Sequence, residues 1–331
     1  MAEEVRPGKP VKDVVSGPRP IEGVGTSIAA FIGLAPGGPV NRPLDVTSLE
    51  AFDRAFGAEE PCVLRRAVQT FFASGGGRVF VQRAADGDWA AGLRALEHVP
   101  EVAIVAAPGL EAAEALIAHA ERMQYRFALL DAPQGCTLQE VLTFRERFDS
   151  SYAALYYTTG GDFPPSGHVA AVYARTPPAE PPADATRDEP ELVDRNVNVV
   201  QVHEDGTLRI AGARTLSSDP DWKYVNVRRY FAYVERSIDE GTQWTVFEPN
   251  DEPLWADVRR TISDFLLAEF RKGILAGDRP EDAFFVKCDR STMTQDDLDD
   301  GRLVCLVGVA QLKPAEFTLI RIGRWTADHT A

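Results

Sequence analysis

Cysteine and histidine are few and scattered. Cys62, Cys136, Cys288 and Cys305 stand far apart with no C-x-x-C pair, which leaves no basis for a zinc ribbon or a redox motif. Buried thiols are the expectation. His98, His119, His168, His203 and His329 lack the i, i+4 spacing that puts two imidazoles on one helix face, so no metal or cofactor site is expected. Long apolar runs are missing too: no stretch approaches the roughly 18 residues of a membrane span. The opening MAEEVRPGKP has none of the apolar character of a secretory signal, and synthesis and assembly in the cytoplasm without membrane insertion are expected. Cationic charge is also short, with 35 Lys and Arg against 50 Asp and Glu and a net charge of -15. Nucleic acid and anionic lipid need clustered cation, so neither is an expected partner.

With 331 residues, 44% hydrophobic and 26% charged, the chain can bury one or two substantial cores. The first twenty residues carry four prolines among alternating charges, a composition that builds no core and reads as an extended arm. From Thr26 the run SIAAFIGLAP reads as a buried strand closed by a turn. Helical periodicity follows at Leu49 to Phe56 and at Val63 to Phe72, stopped by Gly75, Gly76 and Gly77, and RVFVQRA then alternates as a strand. Between Val99 and Tyr157 strand-like EVAIVAAP, RFALLDAP and SYAALYY alternate with helical EAAEALIAHAERM and LQEVLTFRERF. That alternation predicts right-handed crossovers and a parallel sheet.

Residues from about Arg175 to Arg195 are rich in Pro, Ala, Asp and Glu, and read as a surface loop or linker. Two strands are expected at NVVQVH and TLRIAGART, and a helix over Val225 to Ile238. Asn250 to Ala276 predicts the clearest helix, with Pro253 near its start, an apolar stripe from Leu254 through Phe270, and Gly277 after its end. AFFVKCD, RLVCLVGVA and EFTLIRI are three closing strands.

The motifs that could carry chemistry fall short of their requirements. AAPGLEAAEAL supplies one glycine, Gly109, where a dinucleotide site needs three. Gly75 to Gly77 precede a strand, and no Lys-Ser/Thr follows, so no phosphate-cradling loop forms. DDLDDG, Asp296 to Gly301, does not match calcium-loop spacing and reads as a solvated helix end and turn. Ser166 and His168 lack a nucleophile elbow around the serine. No catalytic residue is expected.

Several segments, in order along almost the whole chain, resemble the contractile tail sheath proteins of phages and related injection particles. They are Ser16 to Gly57, Ala67 to Ala84, Arg126 to Gly135, Phe148 to Tyr157 and Pro164 to Thr176, the last taken as ending in an AVYART strand. Gly212 to Ile238, GARTLSSDPDWKYVNVRRYFAYVERSI, is the most specific block, followed by Thr242 to Trp255 and Gln311 to Ile322. Two features depart from the family: PPAEPPADATRDEPEL replaces a longer segment, and the arm at Pro7 to Val15 carries extra proline and lysine.

The resemblance implies an α/β fold whose central mixed, partly parallel sheet is flanked by helices and extended by terminal arms that pair with neighbouring copies. The implied organisation is an arm at 1–20, an α/β region at 21–190, a C-terminal sheath core at 191–313 and a strand arm at 314–331. The implied role is structural rather than enzymatic: a subunit that polymerises helically around an inner tube, with baseplate and terminal cap proteins as further partners, in a phage tail or tail-like injection particle. Val11, Val14, Val15, Phe317, Leu319, Ile320 and Ile322 would form the intersubunit arms, and Arg259, Arg260, Arg271 and Lys272 on the helix from Trp255 to Leu275 would contact the tube. Two other readings remain open: a soluble α/β enzyme or ligand-binding domain, and a subunit that caps or initiates the sheath.

Overall fold

The computed structural model describes residues 17–58, 62–85, 88–109, 111–159, 163–182, 189–311 and 316–329. The arm residues Val11, Val14 and Val15 lie outside them. The chain divides into two compact units, one spanning Gly23–Arg236 and one made of the residues before Gly23 together with those from Ser237 on.

The larger unit is an α/β sandwich. Its strands are β1 Ala29–Gly33, β2 Leu44–Val46, β3 Val79–Arg83, β4 Ile104–Ala106, β5 Phe127–Asp131, β6 Ala153–Thr159, β7 Val197–Val202 and β8 Leu208–Ala211. They form one eight-stranded sheet in the order β2-β3-β1-β4-β5-β6-β7-β8. The five inner pairings are parallel, and only β2 with β3 and β7 with β8 are antiparallel. The sheet is thus mixed and largely parallel, as the alternating pattern predicts, and β7 and β8 belong to it although they open the expected 191–313 core.

Helices α1 Leu49–Phe56, α2 Val63–Ala73, α3 Trp89–Glu97, α4 Ala113–Met123, α5 Leu138–Arg145, α6 Ser166–Arg175 and α7 Pro190–Val193 connect these strands. Successive strand residues point to opposite faces. Ala29 and Phe31 accordingly join a core with Phe52, Phe71 and Tyr173, whereas Ala30 and Ile32 join a second one with Leu93, Leu116 and Val141. The helix ends are set by local chemistry: Ser48 caps α1 by accepting from Ala51 N at 3.1 Å, and Thr137 and Glu140 form a reciprocal capping box on α5. Cys62, expected to be a buried thiol, is half-buried and caps α2, its sulfur accepting from Arg65 N. Cys136 is also half-buried, while Cys288 and Cys305 are buried.

Two expectations are corrected here, and one helix was not anticipated. The AVYART segment is not a strand: Ala171 to Arg175 belong to α6, whose residues from Ser166 to Tyr173 are all buried, and Thr176 is its C-cap. A helix without a polar face loses the 3.6-residue contrast that distinguishes it from a buried strand. The 175–195 segment is not wholly irregular, since it contains α7 with Leu192 buried. The helix α3, between β3 and β4, had no counterpart in the sequence reading.

Helix α8, Val225–Gly241, contains the division between the units. The smaller unit then holds α9 Glu252–Arg271, α10 Pro280–Ala283, β9 Phe284–Lys287, α11 Gln295–Asp299, β10 Arg302–Val309 and β11 Thr318–Trp325. Asp251 caps α9, and Leu254, Val258, Ile262, Phe265 and Leu266 form its buried stripe. The helix ends at Arg271 and does not run to residue 275 or 276. Gly273, at φ 75°, turns the chain into the left-handed region two residues later.

Candidate assembly surfaces

The small sheet of the second unit runs β11-β10-β9, so among the described residues β11 and β9 are both edge strands. The C-terminal strand, expected to pair with neighbouring copies, is here antiparallel to β10 of its own chain over eight residues, from Arg302↔Trp325 to Val309↔Thr318. The alternation within β11 is regular: Ile320 and Ile322 are buried, while Leu319, Arg321 and Trp325 face solvent. Phe317 meets Phe285 of β9 edge-on, with ring centroids 5.1 Å apart. Between them runs Gly308 of β10, where an added Cβ would lie 2.2 Å from the Phe285 ring. Phe285 therefore lies across β10 only because residue 308 has no side chain.

Beside this sheet the 3-10 turn Gln243–Phe247 exposes Val246 and Phe247, and Trp325 is exposed as well. Arg324 ties β11 to the end of α8, reaching Asp239 Oδ1 at 2.7 Å and Thr242 Oγ1 at 3.2 Å. On the N-terminal side Ile21 packs against Gly241 so closely that a Cβ there would sit 2.6 Å from it. Asp297, read as part of a solvated acidic turn, is buried. Its carboxylate accepts from Thr294 N at 2.9 Å and Thr294 Oγ1 at 2.8 Å and pairs with Arg302. Those bonds hold the carboxyl at about 2.

The four cations on and after α9 separate into two kinds. Arg259 donates to the Cys288 carbonyl, and Lys272 pairs at 2.6 Å with the buried Glu269 carboxylate, so both serve the unit itself. Among the described residues Arg260 pairs only with Asp257 one turn back, at 2.6 Å on the surface. Arg271 is exposed, and no hydrogen bond or ion pair engages it among the described residues. Arg260 and Arg271 are therefore the two that an acidic partner can recruit.

The carboxyl ends of the parallel strands are where an α/β enzyme keeps its site, and the end of β5 is occupied by the protein's own hydrogen bonds. Asp131 at the end of β5 accepts from Ser166 N at 2.9 Å, Ser166 Oγ at 2.8 Å and Gly109 N at 3.1 Å. His168 Nδ1 faces Ser74 Oγ at 2.9 Å rather than Ser166. Ser166 is fully buried, so its hydroxyl seals the start of α6 and offers no nucleophile. Among the described residues no cluster of His, Cys, Asp and Glu could hold a metal ion. No described helix is long and apolar enough to cross a membrane.

Burial pushes the Asp131 carboxyl up to about 6 despite its three donors. A raised carboxyl pKa favours the protonated fold, so this contribution is full below about pH 4 and lost as pH rises through 6. The expected result is that wild-type chain loses about 2–3 kcal/mol between pH 4 and pH 8 relative to Asp131→Asn. Urea titrations across that range measure it; parallel curves for the two proteins would remove Asp131 from the account.

Residues 217–323 match the family model of the phage tail sheath C-terminal domain. Among solved structures, the contracted sheath of an extracellular contractile injection system, PVC, is 26% identical, with a TM-score of 0.75 over 99% of both chains. The contracted helical sheath of the anti-feeding prophage is 25% identical, with a TM-score of 0.74 over 98% of this chain and all of that one. A chain of the anti-feeding prophage baseplate is also 25% identical, with a TM-score of 0.74 over 97% of this chain and 99% of that one. No curated protein matches.

Proposed function

We propose that this chain is a member of the contractile tail sheath family, a structural subunit that polymerises into a helical sheath around an inner tube and drives that tube by contracting. The observation that carries the reading is the end-to-end likeness to sheath subunits of two contracted injection particles. It covers the whole chain, both compact units included, and not only the C-terminal segment that the family model matches.

The outer edges of β11 and β9, which pair with no further strand among the described residues, supply the means of assembly, because a strand edge presents backbone donors and acceptors to another chain. In our reading the arms containing Val11, Val14 and Val15, and Phe317, Leu319, Ile320 and Ile322, complete the small sheets of neighbouring copies. Four or five added backbone hydrogen bonds contribute roughly 4–5 kcal/mol per arm. A head-to-tail contact of this kind does not close on itself and so grows a helix. Contraction is then a repacking between two arrangements in which subunits move as rigid bodies while the strand connections hold.

Arg260 and Arg271 are the cations proposed to rest on an acidic tube surface in the extended state. Reversing both, Arg260→Glu with Arg271→Glu, should leave the fold intact and weaken tube binding about tenfold or more in co-sedimentation, with the loss concentrated at low salt. The primary test is negative-stain microscopy of concentrated chain with its inner tube. Helical tubes are expected, and a monodisperse monomer under all conditions would overturn the reading. The likeness to a baseplate chain supports a second one, a copy that initiates the sheath, which predicts a single ring per particle rather than many. Assembly in the cytoplasm before release belongs to the same proposal.

A further inference from the structure

Cys288 and Cys305 both belong to the smaller unit, and both are fully buried. The ladder between β9 and β10 runs from Val309↔Phe284 to Leu306↔Lys287. One residue further in the same register Cys305 stands opposite Cys288, and the two thiols share a hydrogen bond. At the other end of the ladder Ala310 N donates to the Ala283 carbonyl at 2.8 Å, which makes that pair a hydrogen-bonded one. Hydrogen-bonded and non-hydrogen-bonded pairs alternate along antiparallel strands, so the cysteines, five positions on, form a non-hydrogen-bonded pair. The Cys288 carbonyl accordingly turns away from β10 and accepts from Arg259.

That position suits a cross-strand bridge. Partners of a non-hydrogen-bonded pair have Cα atoms about 4.5 Å apart with their side chains close together, inside the range a disulfide spans. The hydrogen bond to Cys288, and then burial, raise the Cys305 thiol above its ordinary range, so at neutral pH the pair rests as thiols. Reaction therefore needs a small oxidant and a brief local opening. β9 provides the opening: it has four residues, lies on the outside of the sheet among the described residues, and exposes Phe285 and Lys287.

We propose that Cys288 and Cys305 are an oxidisable pair, converted by a peroxide into one intramolecular disulfide that staples β9 to β10. The first sulfur, as thiolate, attacks a peroxide oxygen; the O–O bond breaks, leaving a sulfenic acid and a hydroxide that takes up the thiol proton as water. The second sulfur then attacks the sulfenic sulfur, the S–S bond forms, and the hydroxyl leaves with the second thiol proton as another water. Two thiols thus give up two electrons and two protons, and one hydrogen peroxide becomes two waters. In a reducing compartment the pair stays as thiols, and the bridge marks exposure to an oxidising one. It joins β9 to β10 and leaves the ladder between β10 and β11 untouched.

Full chain treated with hydrogen peroxide, alkylated under denaturing conditions and digested without reductant should yield a peptide linking Cys288 to Cys305. The bridge closes a loop of roughly 18 residues, and the oxidised protein should melt about 5 °C or more above the reduced one. Cys288→Ala with Cys305→Ala should lose that difference. Mapping is done on wild-type chain, so the result does not depend on how well the double variant folds. Recovery of both residues as alkylated thiols, or their conversion to sulfinic and sulfonic acids with no linked peptide, would overturn the proposal. So would linkage of either one to Cys62, to Cys136 or to a second copy of the chain.

Discussion

Oxidised Leu306→Cys with Arg321→Cys is expected to form no tubes, and the same protein reduced is expected to form them. The two residues are direct partners on β10 and β11, and both lie on the face away from buried Val307 and Ile320. Directly opposed residues of an antiparallel pair have Cα atoms about 4.5–5.5 Å apart, inside the range a disulfide spans. The bridge closes a loop of roughly 15 residues and should stabilise the chain by about 3 kcal/mol. Loss of assembly would therefore not reflect loss of fold. If β11 must leave its own β10 to join a neighbour's, the locked strand cannot be donated. The same ladder is then available in two forms, closed within one chain or exchanged between chains, which is the physics of domain swapping. Negative-stain microscopy before and after reductant reads the outcome, with mass spectrometry confirming that the bridge is intramolecular. Tubes of normal length from the oxidised protein would end the donation of β11 and leave the N-terminal arm and side-chain surfaces to hold the polymer.

Much of the fold was legible because the chain is punctuated. Gly75 to Gly77 stop α2, Pro253 and Asp251 start α9, and apolar strand runs are short enough to be told from helices. Legibility failed where the pattern depended on distant packing. α6 is buried on all sides, so VAAVYAR shows no polar face and passes for a strand. The partner of EFTLIRI was invisible because strand pairing is a long-range choice, and β10 lies beyond a connection that local chemistry does not describe. Of the candidate tube contacts, charge alone could not tell Arg259 and Lys272, spent on Cys288 and Glu269, from Arg260 and Arg271.

Gly167→Val should be among the most damaging single substitutions in the larger unit. In the sequence the glycine separates Ser166 from His168 and attracts no notice, yet the structure makes it the point where α6 meets α2. A Cβ built there lies 2.4 Å from the Ala67 carbonyl oxygen and 3.0 Å from the Ala67 Cα. Both atoms are backbone, in a helix whose Leu64, Ala67, Val68 and Phe71 are buried, so neither can step aside as a flexible side chain would. Two effects oppose each other for Gly167→Ala. Helix propensity favours alanine by about 1 kcal/mol, whereas overpacking a closed interface costs about 1–3 kcal/mol, and a 2.4 Å approach to backbone puts this site in the upper part of that range, at about 2–3 kcal/mol. Alanine is expected to destabilise by 1–2 kcal/mol net, and valine, with two further methyls and a poorer helix propensity, by about 3 kcal/mol or more. Gly77→Ala is the control, since a Cβ there meets nothing within 4 Å. Urea midpoints for the three variants rank them; a Gly167→Ala protein as stable as wild type would mean that α2 and α6 can separate freely. The family resemblance of PPSGHV then has a physical basis in helix packing, for the glycine is what lets α6 seat against α2 beneath the parallel strands.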